Sequence, residues 1–102
     1  MGEYFLDQFS LLHFAAGVVL YFWNIPIFWA IAIHVAFEWW ENTTFGIDMI
    51  NNVRVWPGGK PKADSPLNIA GDNVAFIAGY GAAYGLDYVG AKNGWYTGHL
   101  GE

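Results

Sequence analysis

His34, Glu38 and Glu41 lie four and then three residues apart within an apolar run, IPIFWAIAIHVAFEWWE. At about 100° per residue the three fall within about 60° of one another on a helix, so one face carries an imidazole and two carboxyls, with Asn42 adjoining. Further on, in DSPLNIAGD, Asn68 and Asp72 are again four apart, and Asp64 and Ser65 stand just before them. In the first apolar run Ser10, His13 and Gly17 make a third polar stripe. The chain has no cysteine, so the available chemistry is carboxylate and imidazole without thiolate. Such a set suits a hard or borderline divalent metal, a proton relay or general acid–base work. Glu38, Glu41 and Asp72 are the expected metal ligands, and no H-E-x-x-H or comparable spacing specifies an ion. The plainer alternative is that these groups only bond helix to helix, with His13 a core histidine.

These residues must be positioned by helices. The reading is an all-α chain of one domain, 1–102, with helices over about 4–23, 25–44 and 66–88, a loop over 45–65 and an exposed tail over 89–102. Asn24 and Pro26 fit a tight reversal, which makes the first two helices a hairpin. Whether 45–55 continues as helix is left open by its mixed pattern. WPGGKPKADSP, with three prolines and two glycines, reads as loop. Asp64 or Ser65 can cap the third helix, with Pro66 in its first turn. Gly71, Ala75, Gly79 and Ala83 recur every four residues along it, on the side that carries Asn68 and Asp72. Small residues so spaced let another helix backbone come close.

Composition then suggests a solvent. Hydrophobic residues make up 55% of the 102 and charged ones 13%, about half the charged share of ordinary domains. The expectation is therefore an integral membrane protein, a three-helix transmembrane bundle of helical hairpin plus third helix. Arg54, Lys60 and Lys62 put the N-terminus and the 45–65 loop on the cytoplasmic side. In that topology the polar faces of all three helices gather at one end, with His34 deepest. A net charge of −5 with four Lys and Arg excludes nucleic acid as a partner. IAGYG at 77–81 resembles a potassium filter but has no pore-lining helix after it, and Gly58, Gly59 and Lys60 lack the P-loop spacing.

FEWWENT at Phe37 to Thr43, followed by DSPLNIAGD at Asp64 to Asp72, is similar to the W-E-x-x-E-N and D-S-x-x-N-x-x-x-D signatures of an uncharacterised bacterial inner-membrane family, and more loosely to the VanZ-like group. Asp7 to His13 and Trp56 to Pro61 also resemble segments of short membrane proteins of large DNA viruses. The resemblance implies Glu38, Glu41, Asn42, Asp64, Ser65, Asn68 and Asp72 as site residues, with His13 and His34 beside them. It implies a host or viral membrane and carries no assigned reaction. This chain is much shorter than VanZ-like proteins.

Three functions fit these observations. One is a polar pocket that binds a divalent metal or a lipid headgroup, with catalysis undecided. Another is a structural or accessory subunit of a larger membrane assembly, whose partners are the bilayer and other membrane subunits or further copies of itself. The third is an oligomeric ion or proton pathway.

Overall fold

A computed structural model describes residues 3–53 and 62–101. Four helices follow in order: α1 Ser10–Phe22, α2 Ile27–Glu41, α3 Thr44–Asn52 and α4 Pro66–Lys92. The all-α expectation therefore holds, while the stretch read as loop contains α3. Thr43 caps that helix, its hydroxyl accepting the Gly46 N–H at 3.0 Å. The WPGGKP motif, Arg54 and Lys60 lie outside the described residues.

The transmembrane expectation is overturned: no helix among the described residues is long and apolar enough to cross a membrane. At 13 and 15 residues, α1 and α2 reach only about 20–23 Å, against about 30 Å of hydrocarbon. The flanks expected to lengthen α1 are turns and bends over residues 3–9. α4 is 27 residues long, but Asn68, Asp72, Asn73, Asp87 and five glycines interrupt its apolar character. The integral-membrane expectation and the sidedness drawn from it are withdrawn on that finding.

The core is a parallel pair. α1 lies along α4 so that Gly17 meets the backbone of Phe76 and Gly79 meets the backbone carbonyl of Phe14. A side chain at either glycine would occupy the space of the opposing main chain, which is why the small-residue stripe is needed. All four of Gly71, Ala75, Gly79 and Ala83 are buried, together with Asn68 and Asp72. Phe76 is the largest fully buried side chain.

α2 runs back against this pair in an unusual way. Its buried residues are Ala30, His34, Glu38 and Glu41, so three of the four are ionisable. Its bulky apolar residues face outward, with Phe28 and Trp39 each 73% exposed. Burial of apolar area normally fastens an amphipathic helix. Here the polar cluster occupies the contact instead. At the far end Tyr80 Oη donates to the Ile25 carbonyl at 2.7 Å and fixes the turn between α1 and α2.

Candidate metal centre

Each element delivers its side chains to one end of the bundle. Asp7 and Ser10 set the start of α1: Asp7 N–H donates to Ser10 Oγ at 2.9 Å, and Phe9 N–H to Asp7 Oδ1 at 2.9 Å. One turn later His13 projects between α2 and α4. From α2 come His34, Glu38 and Glu41, and from the second turn of α4 comes Asp72. His13 Nδ1 lies 2.8 Å from His34 Nε2 and 3.4 Å from Glu38 Oε1. His13 Nε2 lies 3.3 Å from Asp72 Oδ2, and His34 Nε2 lies 3.6 Å from Glu38 Oε1. The His13 and His34 rings meet edge to face, with centroids 5.0 Å apart.

Burial makes this arrangement costly for charge. Glu38 and Asp72 are each 2% exposed, Glu41 6% and His34 5%. Among the described residues three buried carboxylate oxygens meet no nitrogen or hydroxyl donor in hydrogen-bonding geometry, Glu38 Oε1, Glu38 Oε2 and Asp72 Oδ1, and the bonds of Glu38 to Glu41 and Asp72 need a proton on one of the carboxyls. Burial, reinforced by the charges of Asp72 and Glu41, pushes the Glu38 carboxyl up to about 9. Burial and the neighbouring Asp64 carboxylate raise Asp72 to about 7. Burial lowers His34, an effect its contact with Asn73 opposes. Glu38 and Glu41 also occupy the last turn of α2, where the helix dipole disfavours negative charge. No Lys or Arg is among the members of the cluster.

Two groups of side chains can each place one ligand atom per residue within 4.8 Å of one another. One is His13, His34 and Glu38; the other is His13, Glu38, Glu41 and Asp72. A metal ion can be held here, and the second group joins the three carboxylates expected as ligands to a histidine.

The other expected site residues stand outside this group and have structural partners. Ser65 caps α4, accepting the Asn68 N–H at 3.1 Å and donating to the Glu3 carbonyl at 3.2 Å. Asn68 Nδ2 donates to the Tyr4 carbonyl at 2.7 Å and to Asp7 Oδ2 at 3.3 Å. Asn42 donates to the Glu38 carbonyl at 2.8 Å and accepts the Asp64 N–H at 2.7 Å. These residues tie the N-terminal segment and the start of α4 to the bundle. Asp64 contributes its charge to the site, raising Asp72.

Sequence reasoning missed Asn73, one residue beyond Asp72, which contacts His34 Nδ1 at 2.9 Å. It also missed a second polar cluster, where Asp87 accepts from the Tyr21 hydroxyl at 2.6 Å, from the His99 N–H at 3.0 Å and from His99 Nδ1. His99 Nε2 lies 2.7 Å from Asn24 Oδ1, and Asn24 adopts φ 64° in the turn. Those bonds hold Asp87 below the usual carboxylate range, while burial and Asp87 keep the Tyr21 hydroxyl protonated. The tail expected to be exposed keeps most of its residues exposed but folds back through His99, and it walls a cavity of about 580 Å³ with Tyr80 and Tyr84. Nothing in the spacing of Asp87 and His99 marks them, because the pairing exists only once the tail reverses. No protein-family model matches the chain, and no curated protein or solved structure matches it, so its function is read from the geometry of this site.

Proposed function

We propose that this chain binds a divalent cation among His13, Glu38, Glu41 and Asp72, and that the ion fastens α2 to the α1–α4 pair. The observation that carries this reading is the set of three buried carboxylate oxygens without a nitrogen or hydroxyl donor, on the face by which α2 attaches. A buried carboxylate that ionises without a donor costs several kcal/mol, of order 1–3 for each unmet polar group and more if charged. A cation among these oxygens removes that cost. Three carboxylates and one imidazole without sulfur favour manganese, iron(II), cobalt or zinc over soft ions such as copper(I). When bound, the ion supplies positive charge and Lewis acidity to a pocket whose own residues are acidic. His13, whose side chain is 14% exposed, is the ligand nearest to solvent.

Equilibrium dialysis of chelator-stripped protein against Mn²⁺, Co²⁺ or Zn²⁺ tests it. The expected result is one ion per chain and an increase in unfolding free energy of about 2.7 kcal/mol at a hundred times Kd. Glu38→Gln and Asp72→Asn should each weaken binding about a hundredfold or more, since a buried ligand charge is lost. Absence of bound ion, or binding indifferent to both substitutions, refutes the reading.

A further inference from the structure

Asn73 is not among the candidate ligands, yet the orientation of its amide constrains both imidazoles. Asn73 Nδ2 donates to the Ile69 carbonyl at 3.0 Å, one turn back along α4. Its Oδ1 therefore faces His34 Nδ1, at 2.9 Å. An amide oxygen only accepts, so the hydrogen of His34 is on Nδ1. The ring is stacked on Phe76, with centroids 4.2 Å apart and planes 18° from parallel, and this buried apolar contact favours neutral imidazole. Neutral His34 with Nδ1–H has its lone pair on Nε2.

That nitrogen lies 2.8 Å from His13 Nδ1, and two lone pairs cannot share such a distance. His13 Nδ1 must be the donor. A histidine that ligates a metal is neutral, so in the loaded protein the lone pair of His13 is on Nε2, the nitrogen 3.3 Å from Asp72 Oδ2. A single amide orientation thus sets the tautomer of two successive rings, across α4, α2 and α1.

We infer that His34 and Asn73 are positioning residues, and that His13 alone among the imidazoles ligates the ion, through Nε2, with Glu38, Glu41 and Asp72. The inference rests on the metal reading and deepens it, because it chooses between the two ligand groups the geometry permits. In the group of His13, His34 and Glu38, His34 would have to give the ion the Nε2 lone pair that already accepts the His13 hydrogen. In the other group that hydrogen bond survives metal loading. A ligating imidazole whose second nitrogen donates to a fixed acceptor is better oriented and more basic, and loss of such a partner typically lowers metal affinity about 10–100-fold.

Nitrogen-15 NMR of histidine-labelled protein, first stripped of metal and then titrated with Zn²⁺, reads this directly. The stripped protein should show Nδ1–H on both His13 and His34. With zinc, His13 Nε2 should move to the metal-bound range, while His34 Nε2 keeps the shift of a hydrogen-bond acceptor. Asn73→Leu should bind the same number of zinc ions about 10–100-fold more weakly and lose the tautomer bias of His34. Asn73→Asp, which keeps an acceptor, should retain the bias. Should Asn73→Leu fail to fold, the measurement on the wild-type chain still decides. A metal-bound shift on His34, or Nε2–H without Nδ1–H on either ring of the stripped protein, overturns the assignment and leaves metal binding intact. No zinc bound to the wild-type chain overturns both.

Discussion

Replacement of Glu38 by Gln should stabilise the metal-free protein, by an amount that grows with pH. The folded carboxyl titrates at about 9, against 4.5 for the same group in an open chain. Between those values the folded state holds a proton that the unfolded state has released, so stability falls as pH rises. Each pH unit costs about 1.4 kcal/mol, or about 5 kcal/mol between pH 4.5 and pH 8. That is comparable with the entire net stability of many small domains. Glutamine has nearly the same shape and carries no proton to lose. Urea titrations of chelator-treated wild-type and Glu38→Gln protein at pH 5, 6.5 and 8 should therefore diverge, with the variant increasingly ahead. Asp72 adds its own decline up to about pH 7, and because it interacts directly with Glu38 its contribution shifts with the substitution, so the divergence is read above pH 7, where Asp72 is ionised in both proteins. With saturating divalent ion the order should reverse, because the wild-type chain then gains binding energy that the variant lacks. A difference that stays constant with pH would refute the account of Glu38 as a buried neutral acid.

Three further outcomes are expected. Gly79→Ala drives a methyl group into the backbone of Phe14, and no side-chain rotation can relieve that overlap. It should cost about 3 kcal/mol, seen as a lowered denaturation midpoint, whereas Gly81→Ala meets only open space and should cost far less. Ser65→Ala removes the cap of α4 and should cost about 1 kcal/mol in the same assay. His99→Ala should raise hydrogen exchange of the Trp95 and Gly101 amides about tenfold by releasing the tail, without changing metal affinity, since that cluster is remote from Asp72.

Helix periodicity made much of this fold legible. The common face of His34, Glu38 and Glu41 follows from spacing alone, and so does the pairing of Asn68 and Asp72 with the small-residue stripe. The convergence of His13 with these residues follows from connectivity, because a hairpin and a third helix bring the start of α1, the end of α2 and the start of α4 to one end. What spacing could not supply was environment. A 55% hydrophobic composition suggests lipid when averaged over the chain. Helix length is set locally, however, by turns at 3–9 and by the reversal at Asn24, and these leave α1 and α2 too short to span. Asn73 was invisible for a related reason: its importance lies in which way its amide points, and only the Ile69 carbonyl decides that.

The polar residues of the cluster also separate once their bonds are traced. If the whole set were adhesive between helices, each member would be expected to satisfy its buried groups. Ser65, Asn68 and Asn42 do so, each with both a donated and an accepted bond or with two carbonyl and carboxylate acceptors in reach. Glu38 and Asp72 leave three oxygens without a nitrogen or hydroxyl donor, although they are buried as deeply as Asn68. The same helices, at the same depth, thus build satisfied amide contacts and unsatisfied acid contacts side by side. Simple adhesion explains the first kind and leaves the second a net penalty, since neutral glutamine and asparagine would fit the same space at lower cost. On the metal proposal the acids gain a rationale, since ionised carboxylates here need a positive charge beside them and the four side chains that face one another across α1, α2 and α4 are of the types that can bind such an ion.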